Sequence, residues 1–232
     1  MSRDAHRGEE AGIDTDRIRR AVRELLLAIG EDPDRDGLSA TPRRVAEAYG
    51  EFFAGVGRDP RAPLATAVPI GGHDAEAVVM RGVRFRSMCE HHLLPFLGTA
   101  HLAYLPGEKV VGLGRLAEVV SILAARPQLQ ERLGEEIPDA LADGLAARGV
   151  LVVLDAEHGC VRTRGPRQAG SSTVTIASRG ALAEPAARAE VMSLIAAGAG
   201  SAAASSVDAG SADCGAADAG SVDAGPTDGA RG

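Results

Sequence analysis

The chain has 232 residues, enough for one domain of ordinary size with extensions. Aromatic residues make up only 3% and Trp is absent, so any core has to be built from Leu, Val, Ile and Ala. A formal charge of −7 argues against a nonspecific nucleic-acid or membrane-surface binder, either of which needs a basic face. An acidic chain can still hold a nucleotide where arginines, lysines and helix N-termini converge. No apolar run approaches the roughly 18 residues of a membrane-spanning helix. Residues 1–12 are polar and unlike a secretory leader, and three cysteines (Cys89, Cys160, Cys214) are an odd number for a disulfide framework. A cytoplasmic, reducing location is the expectation.

After a polar segment at 1–14, expected to be disordered, Ile18, Val22, Leu25, Leu26 and Ile29 recur at helical spacing and stop at Gly30. A second helix opens at Thr41-Pro42, with Thr41 as its cap and Val45, Tyr49 and Phe52 on its buried face. These helices make up a helical part over 15–60. Alternation predicts strands at 83–87 and 101–105, then helices at about 115–125 and 127–147. The longer helix has a stripe of Leu129, Leu133, Ile137, Leu141 and Leu145, and Pro138 inside it predicts a bend. Strands resume at 150–154 and 173–176. The fold class is therefore α+β, with helices on one face of an antiparallel sheet over 75–195. Residues 196–232 are nearly all Ala, Gly, Ser and Asp, with Asp208, Asp213, Asp218, Asp223 and Asp228 on a five-residue beat. Such a tail cannot bury enough apolar area to offset its ordering entropy and is expected to be disordered. A calcium-binding repeat is the sharper alternative, but nothing in the tail supplies the further ligands.

The chemistry concentrates in two clusters. Ser87-Met88-Cys89-Glu90-His91-His92 offers a thiolate and an imidazole at metal-ligand spacing, and His158-Gly159-Cys160 can offer a third ligand. Three protein ligands and one open position describe a catalytic zinc site, where bound water becomes a nucleophile near neutral pH. Taken singly, adjacent histidines can be surface residues and a cysteine a small core hydrophobe. Two such clusters in one chain favour the metal.

Together with Thr41-Pro42-Arg43-Arg44, Arg126-Pro127-Gln128-Leu129-Gln130-Glu131-Arg132 and the Arg164-Gly165 that follows Cys160, these clusters resemble the GTP cyclohydrolase I family over roughly residues 15–195. The resemblance implies the tunnel fold, in which antiparallel sheets of several subunits join into a barrel, and a homodecamer with active sites between subunits. It implies Zn2+ on Cys89, His92 and Cys160, with His91, His92 and His158 catalytic, the first and last in proton transfer. It places Glu131 on the guanine edge with Gln130 beside it, and Arg44, Arg115 and Arg164 toward the triphosphate. A carboxylate suits guanine, which presents two N–H donors to it, and guanidinium forks suit phosphate. Without the motifs Arg44, Arg164 and Arg167 could equally be solvated charges. The implied reaction takes GTP and water. Hydrolysis at C8 opens the imidazole ring, formate leaves, and rearrangement of the ribose gives 7,8-dihydroneopterin triphosphate, the precursor of folate and other pterins.

Val111-Gly112-Leu113-Gly114-Arg115-Leu116-Ala117-Glu118 departs from the family pattern, which reads Gly-Leu-Ser-Lys followed by an arginine. Gly114 stands for the serine, Arg115 for the lysine and Glu118 for the arginine, and Glu47 is acidic at another position that is often basic. An active cyclohydrolase with a weaker hold on triphosphate is the leading reading. A divergent paralogue is the alternative, halting at a ring-opened intermediate or using a related guanine nucleotide in secondary metabolism. A non-catalytic zinc-stabilised scaffold is disfavoured by the open metal position. A tunnel-fold nitrile reductase, with a catalytic Cys and no zinc triad, is disfavoured by the paired His91 and His92.

Overall fold

A computed structural model describes residues 12–71 and 75–205, the last eight of these by backbone alone. Helix α1 (Thr15–Ala28) is capped by the Asp14 carboxylate, which accepts from the Arg17 amide at 2.8 Å. It lies against α2 (Thr41–Phe52). Thr41 does not act as the cap of α2; it already sits inside the first turn, with Ala40 preceding it and Pro42 buried. In α1 only Leu26 is buried, and Leu25 and Ile29 of the apolar stripe face outward.

A five-stranded sheet carries the domain, in the order β5 (Pro127–Gln128), β2 (Val78–Cys89), β3 (Pro95–Leu105), β6 (Gly149–His158) and β7 (Thr173–Gly180). All neighbours are antiparallel except β2 and β5. Strands β1 (Val68–Pro69) and β4 (Lys109–Val110) form a small separate pair.

One face of the sheet is covered by α3 (Leu113–Ala124) and α4 (Gln130–Leu145). Leu133, Ile137, Leu141 and Leu145 of α4 have no exposed surface and meet Leu102, Tyr104, Val150, Val152 and Leu154 in one cluster. Truncating any of these leucines to alanine removes roughly 2–5 kcal/mol from a packed core. Helix α4 runs unbroken through the buried Pro138. It begins at Gln130 rather than 127, because Pro127 and Gln128 are taken up in β5.

The helices are not confined to one face. Helix α6 (Pro185–Ser205) lays Val191 and Ile195 on the opposite side, over Ala103, Leu151 and Val153. Odd and even residues of β6 therefore enter different clusters, as the two-residue period of a strand requires. Helix α6 continues through Ser205, past residue 195 and into the stretch expected to be disordered; its alanine content favours helix. The Asp-spaced remainder of the tail with Cys214, and residues 1–11, lie outside the described residues. Among the described residues no helix is long and apolar enough to cross a membrane.

Strand β3 passes β6 very closely at Gly98, where a Cβ would fall 2.3 Å from the Asp155 carbonyl oxygen and 2.6 Å from the Ala156 Cβ. Gly98→Ala is expected to cost about 1–3 kcal/mol by forcing the strands apart. A urea unfolding midpoint equal to that of the wild type would contradict this packing.

Candidate metal centre and active site

Strand β2 ends at Cys89, and the chain turns sharply over Glu90–Leu94 into β3. The Cys89 carbonyl accepts from the amides of His92 (3.4 Å) and Leu93 (2.8 Å), while the Cys89 amide donates to the Leu94 carbonyl at 2.9 Å. Leu93 adopts φ 50°, a left-handed conformation that costs a non-glycine residue of the order of 1 kcal/mol and is held here by that bonding. The turn presents His91 and His92 outward, their rings edge to face at 6.2 Å.

The β3–β6 register sets Phe96 opposite His158, so β6 ends beside this turn. The chain continues through a four-residue helix, α5 (Gly159–Arg162), which carries Cys160. Gly159 has to lack a side chain, because a Cβ would lie 2.7 Å from the Pro95 carbonyl oxygen. The ligand atoms of Cys89, His92 and Cys160 consequently fall within 4.8 Å of one another, with Cys89 buried and His92 exposed. Two sulfurs and an imidazole at that separation fit one tetrahedral zinc ion with a position left open. Burial raises the Cys160 thiol above its ordinary pKa, and the adjoining Cys89 thiol adds to this, with Arg164 opposing. A divalent cation reverses that balance, since a coordinated thiol is deprotonated.

His158 is stacked on Phe96, the rings 4.8 Å apart and 7° from parallel. Its Nε2 lies 2.7 Å from Oε1 of Gln130, which is itself buried. Burial lowers the His158 pKa, and the carboxylate of Glu131 works in the other direction. Glu131, in the first turn of α4, lines a cleft of about 530 Å³ with Leu129, Thr175 and Ile176. That volume lies within the usual range for small-molecule sites.

Two residues that the sequence reading left without a role tie the site together. Arg132 of α4 grips Glu90 with both guanidinium arms, at 2.5 and 3.1 Å, and holds the Glu90 carboxyl below its ordinary pKa. This fastens the turn between the metal-ligating residues to the helix that carries Gln130 and Glu131. The Glu90 amide also donates to the Gln128 carbonyl at 3.0 Å, beside the parallel β2–β5 pairing of Cys89 with Gln128. Phe96 gave no signal beyond its place in an apolar run.

A family model described as GTP cyclohydrolase I matches residues 18–196. This chain belongs to the GTP cyclohydrolase I family. It is 63% identical over 188 residues to a protein named GTP cyclohydrolase 1 from Leifsonia xyli subsp. xyli, covering 81% of this chain and 98% of that one. Proteins of the same name from Streptomyces avermitilis and Rhodopirellula baltica are 50% and 54% identical over 187 and 184 residues. These matches cover 80% and 79% of this chain, and 92% and 80% of those proteins.

The GTP cyclohydrolase I pattern assigns Arg44, Arg115 and Arg164 to phosphate. Arg164 is close enough to Cys160 to favour its thiolate. Arg44 on α2 and Arg115 on α3 form no hydrogen bond or ion pair with the Cys89–His92–Cys160 group among the described residues. Both acidic departures are paired with a neighbouring arginine: Glu118 with Arg115 at 2.7 Å, and Glu47 with Arg43 at 2.7 Å. Glu118 also lines a second cleft of about 530 Å³ between α2, α3 and β2, which includes Arg84 and Arg86 but none of the three potential metal ligands. A side chain at Gly114 would meet nothing within 4 Å.

Removing one ligand from a three-ligand site leaves too few bonds to hold a metal against water. Cys89→Ser and Cys160→Ser are each expected to reduce zinc, measured by atomic emission on dialysed protein, from about one per chain to a small fraction. Retention of stoichiometric zinc by both variants would remove Cys89 and Cys160 from the ligand set.

Proposed function

We propose that this chain hydrolyses the imidazole ring of GTP, releasing formate and forming 7,8-dihydroneopterin triphosphate. The observation that carries the reading is the convergence of Cys89, His92 and Cys160 beside His91, His158 and the Glu131 cleft, in a chain of this family. Zinc, when bound by Cys89, His92 and Cys160, supplies Lewis-acid activation of water at C8. His158, shielded by Phe96 and by burial, moves a proton at the opening ring, and His91 serves beside it on the exposed side. The Glu131 carboxylate accepts from the two N–H groups of the guanine edge, which adenine does not offer together. Arg164, Arg44 and Arg115 take the triphosphate.

On the family pattern a second copy of the chain completes the site, and neither Arg44 nor Arg115 forms a hydrogen bond or ion pair with the metal group among the described residues. The exposed Val174 and Ile176 on edge strand β7, and Leu25 and Ile29 on α1, are apolar surfaces that such assembly would cover. We therefore read the working form as a homo-oligomer, a decamer on the family pattern, with tunnel-type closure of the sheets and a cytoplasmic location.

Incubation of the zinc-loaded protein with GTP is expected to yield formate and a pterin, fluorescent after oxidation, in equal amounts. No formate from GTP would overturn the assignment. Formate without pterin would instead support the reading of a paralogue that stops at a ring-opened intermediate.

The Arg115–Glu118 pair is half exposed, so the bond between them holds with no more than about 1 kcal/mol. Triphosphate can displace it, and the remaining cost is the carboxylate left near the phosphates. Glu118→Gln is expected to lower KM for GTP roughly fivefold, the equivalent of about 1 kcal/mol. Gly114→Ser, for which there is open space, is expected to raise the ratio of pterin to formate where that ratio is below one. Unchanged KM in the first variant would show that Glu118 lies outside the phosphate site.

A further inference from the structure

Gln130 opens α4 with 1% of its surface exposed, and every hydrogen-bonding group of its side chain is engaged by the protein. Its carboxamide nitrogen lies 2.8 Å from the Thr173 carbonyl oxygen, 3.2 Å from the Leu154 carbonyl oxygen and 3.3 Å from the Thr175 hydroxyl. Its carboxamide oxygen lies 2.7 Å from His158 Nε2. The orientation of the amide follows from its partners. Two main-chain carbonyls can only accept, so the NH2 group has to face them, and the opposite orientation would set three acceptors against one another. The oxygen that remains can only accept, so Nε2 of His158 carries a hydrogen. In the neutral ring the lone pair is then on Nδ1, which has no hydrogen-bond partner among the described residues. The stacking of the ring on Phe96 fixes its plane as well.

We infer that Gln130 is a positioning residue that locks His158 in the Nε2–H tautomer and presents Nδ1 to the reaction, in place of the guanine contact expected beside Glu131. The catalytic half of this inference rests on the GTP-hydrolysing reading above; the tautomer itself does not. With Nε2–H held by Gln130 and the ring plane held by Phe96, Nδ1 keeps one orientation toward the site. A carboxamide with both donors and its oxygen already used has nothing left for a purine edge, and burial keeps it from one.

The test uses full-length, zinc-loaded protein with 15N-labelled histidine rings, examined by solid-state NMR, with the His158 signals assigned by their loss in His158→Gln. The expected spectrum shows a pyrrole-type Nε2 and a pyridine-type Nδ1. Gln130→Leu is expected to abolish that preference and lower kcat for GTP about ten- to a hundredfold, the usual worth of an outer partner that orients a working imidazole. Its KM and zinc content should stay within about threefold of the wild type. Gln130→Glu should keep the tautomer and recover much of kcat, because a carboxyl protonated toward Thr173 still accepts from Nε2–H. An Nδ1–H tautomer in the wild-type protein would overturn the inference, and this readout does not depend on any variant folding. A Gln130→Leu variant that raises KM with kcat unchanged would also overturn it, and would return Gln130 to the purine. Absence of GTP turnover in the wild type would defeat the catalytic half, and the spectrum would still decide which nitrogen carries the hydrogen.

Discussion

The antiparallel pairing of β3 with β6 is the constraint on which the rest of the site depends. Ten residue pairs, from Leu105 with Gly149 to Phe96 with His158, bring the end of β6 to the start of β3. The turn before β3 holds Cys89 and His92, and the turn after β6 holds Cys160, so the same register sets the spacing of the potential metal ligands. A slip of one residue would exchange the faces of β6, moving Leu151 and Val153 into the place of Val150, Val152 and Leu154. Burial of those side chains, at roughly 1.5–3 kcal/mol each, guards the register far more strongly than any bond within the site. The hydrophobic core and the chemistry are thus linked through one ladder.

Polar contacts then refine what the register brings together. The Glu90–Arg132 bridge and the β2–β5 pairing attach α4 to the turn of His91 and His92. Gln130 and Phe96 hold His158 from two directions, one by hydrogen bonding and one by stacking. Arg115 with Glu118 and Arg43 with Glu47 are exposed pairs of modest worth, and they show how this member of the family accommodates acidic residues where phosphate-binding charge is expected. A carboxylate placed beside an arginine neutralises it locally and leaves the metal group untouched.

Much of this was legible in the residues before the fold was known. The Leu133-Ile137-Leu141-Leu145 stripe marked the buried face of α4, and the two Cys/His clusters marked a metal group, because both rest on local spacing. Long-range partners were harder to read. Nothing in the Gln130 neighbourhood announced that its amide would be spent on Leu154, Thr173 and His158, since those contacts arise from the sheet. The Thr41-Pro42 pair pointed to a helix start but misplaced the cap by one residue, a shift that local propensity does not resolve. Helix α6 escaped notice because its buried stripe is only Val191 and Ile195 amid alanines, and the contrast with the Asp-spaced tail drew the boundary too early.

The proposed function needs Cys89, Cys160 and His92 to hold one zinc ion with a fourth position open to water. Zinc K-edge X-ray absorption on the full-length, zinc-loaded protein tests this most directly. Two sulfur scatterers at ~2.3 Å and two nitrogen or oxygen scatterers at ~2.0 Å are expected, one of the latter exchanging when an imidazole-like ligand is added. A shell of nitrogen and oxygen alone, or a closed four-ligand shell that no added ligand perturbs, would contradict it.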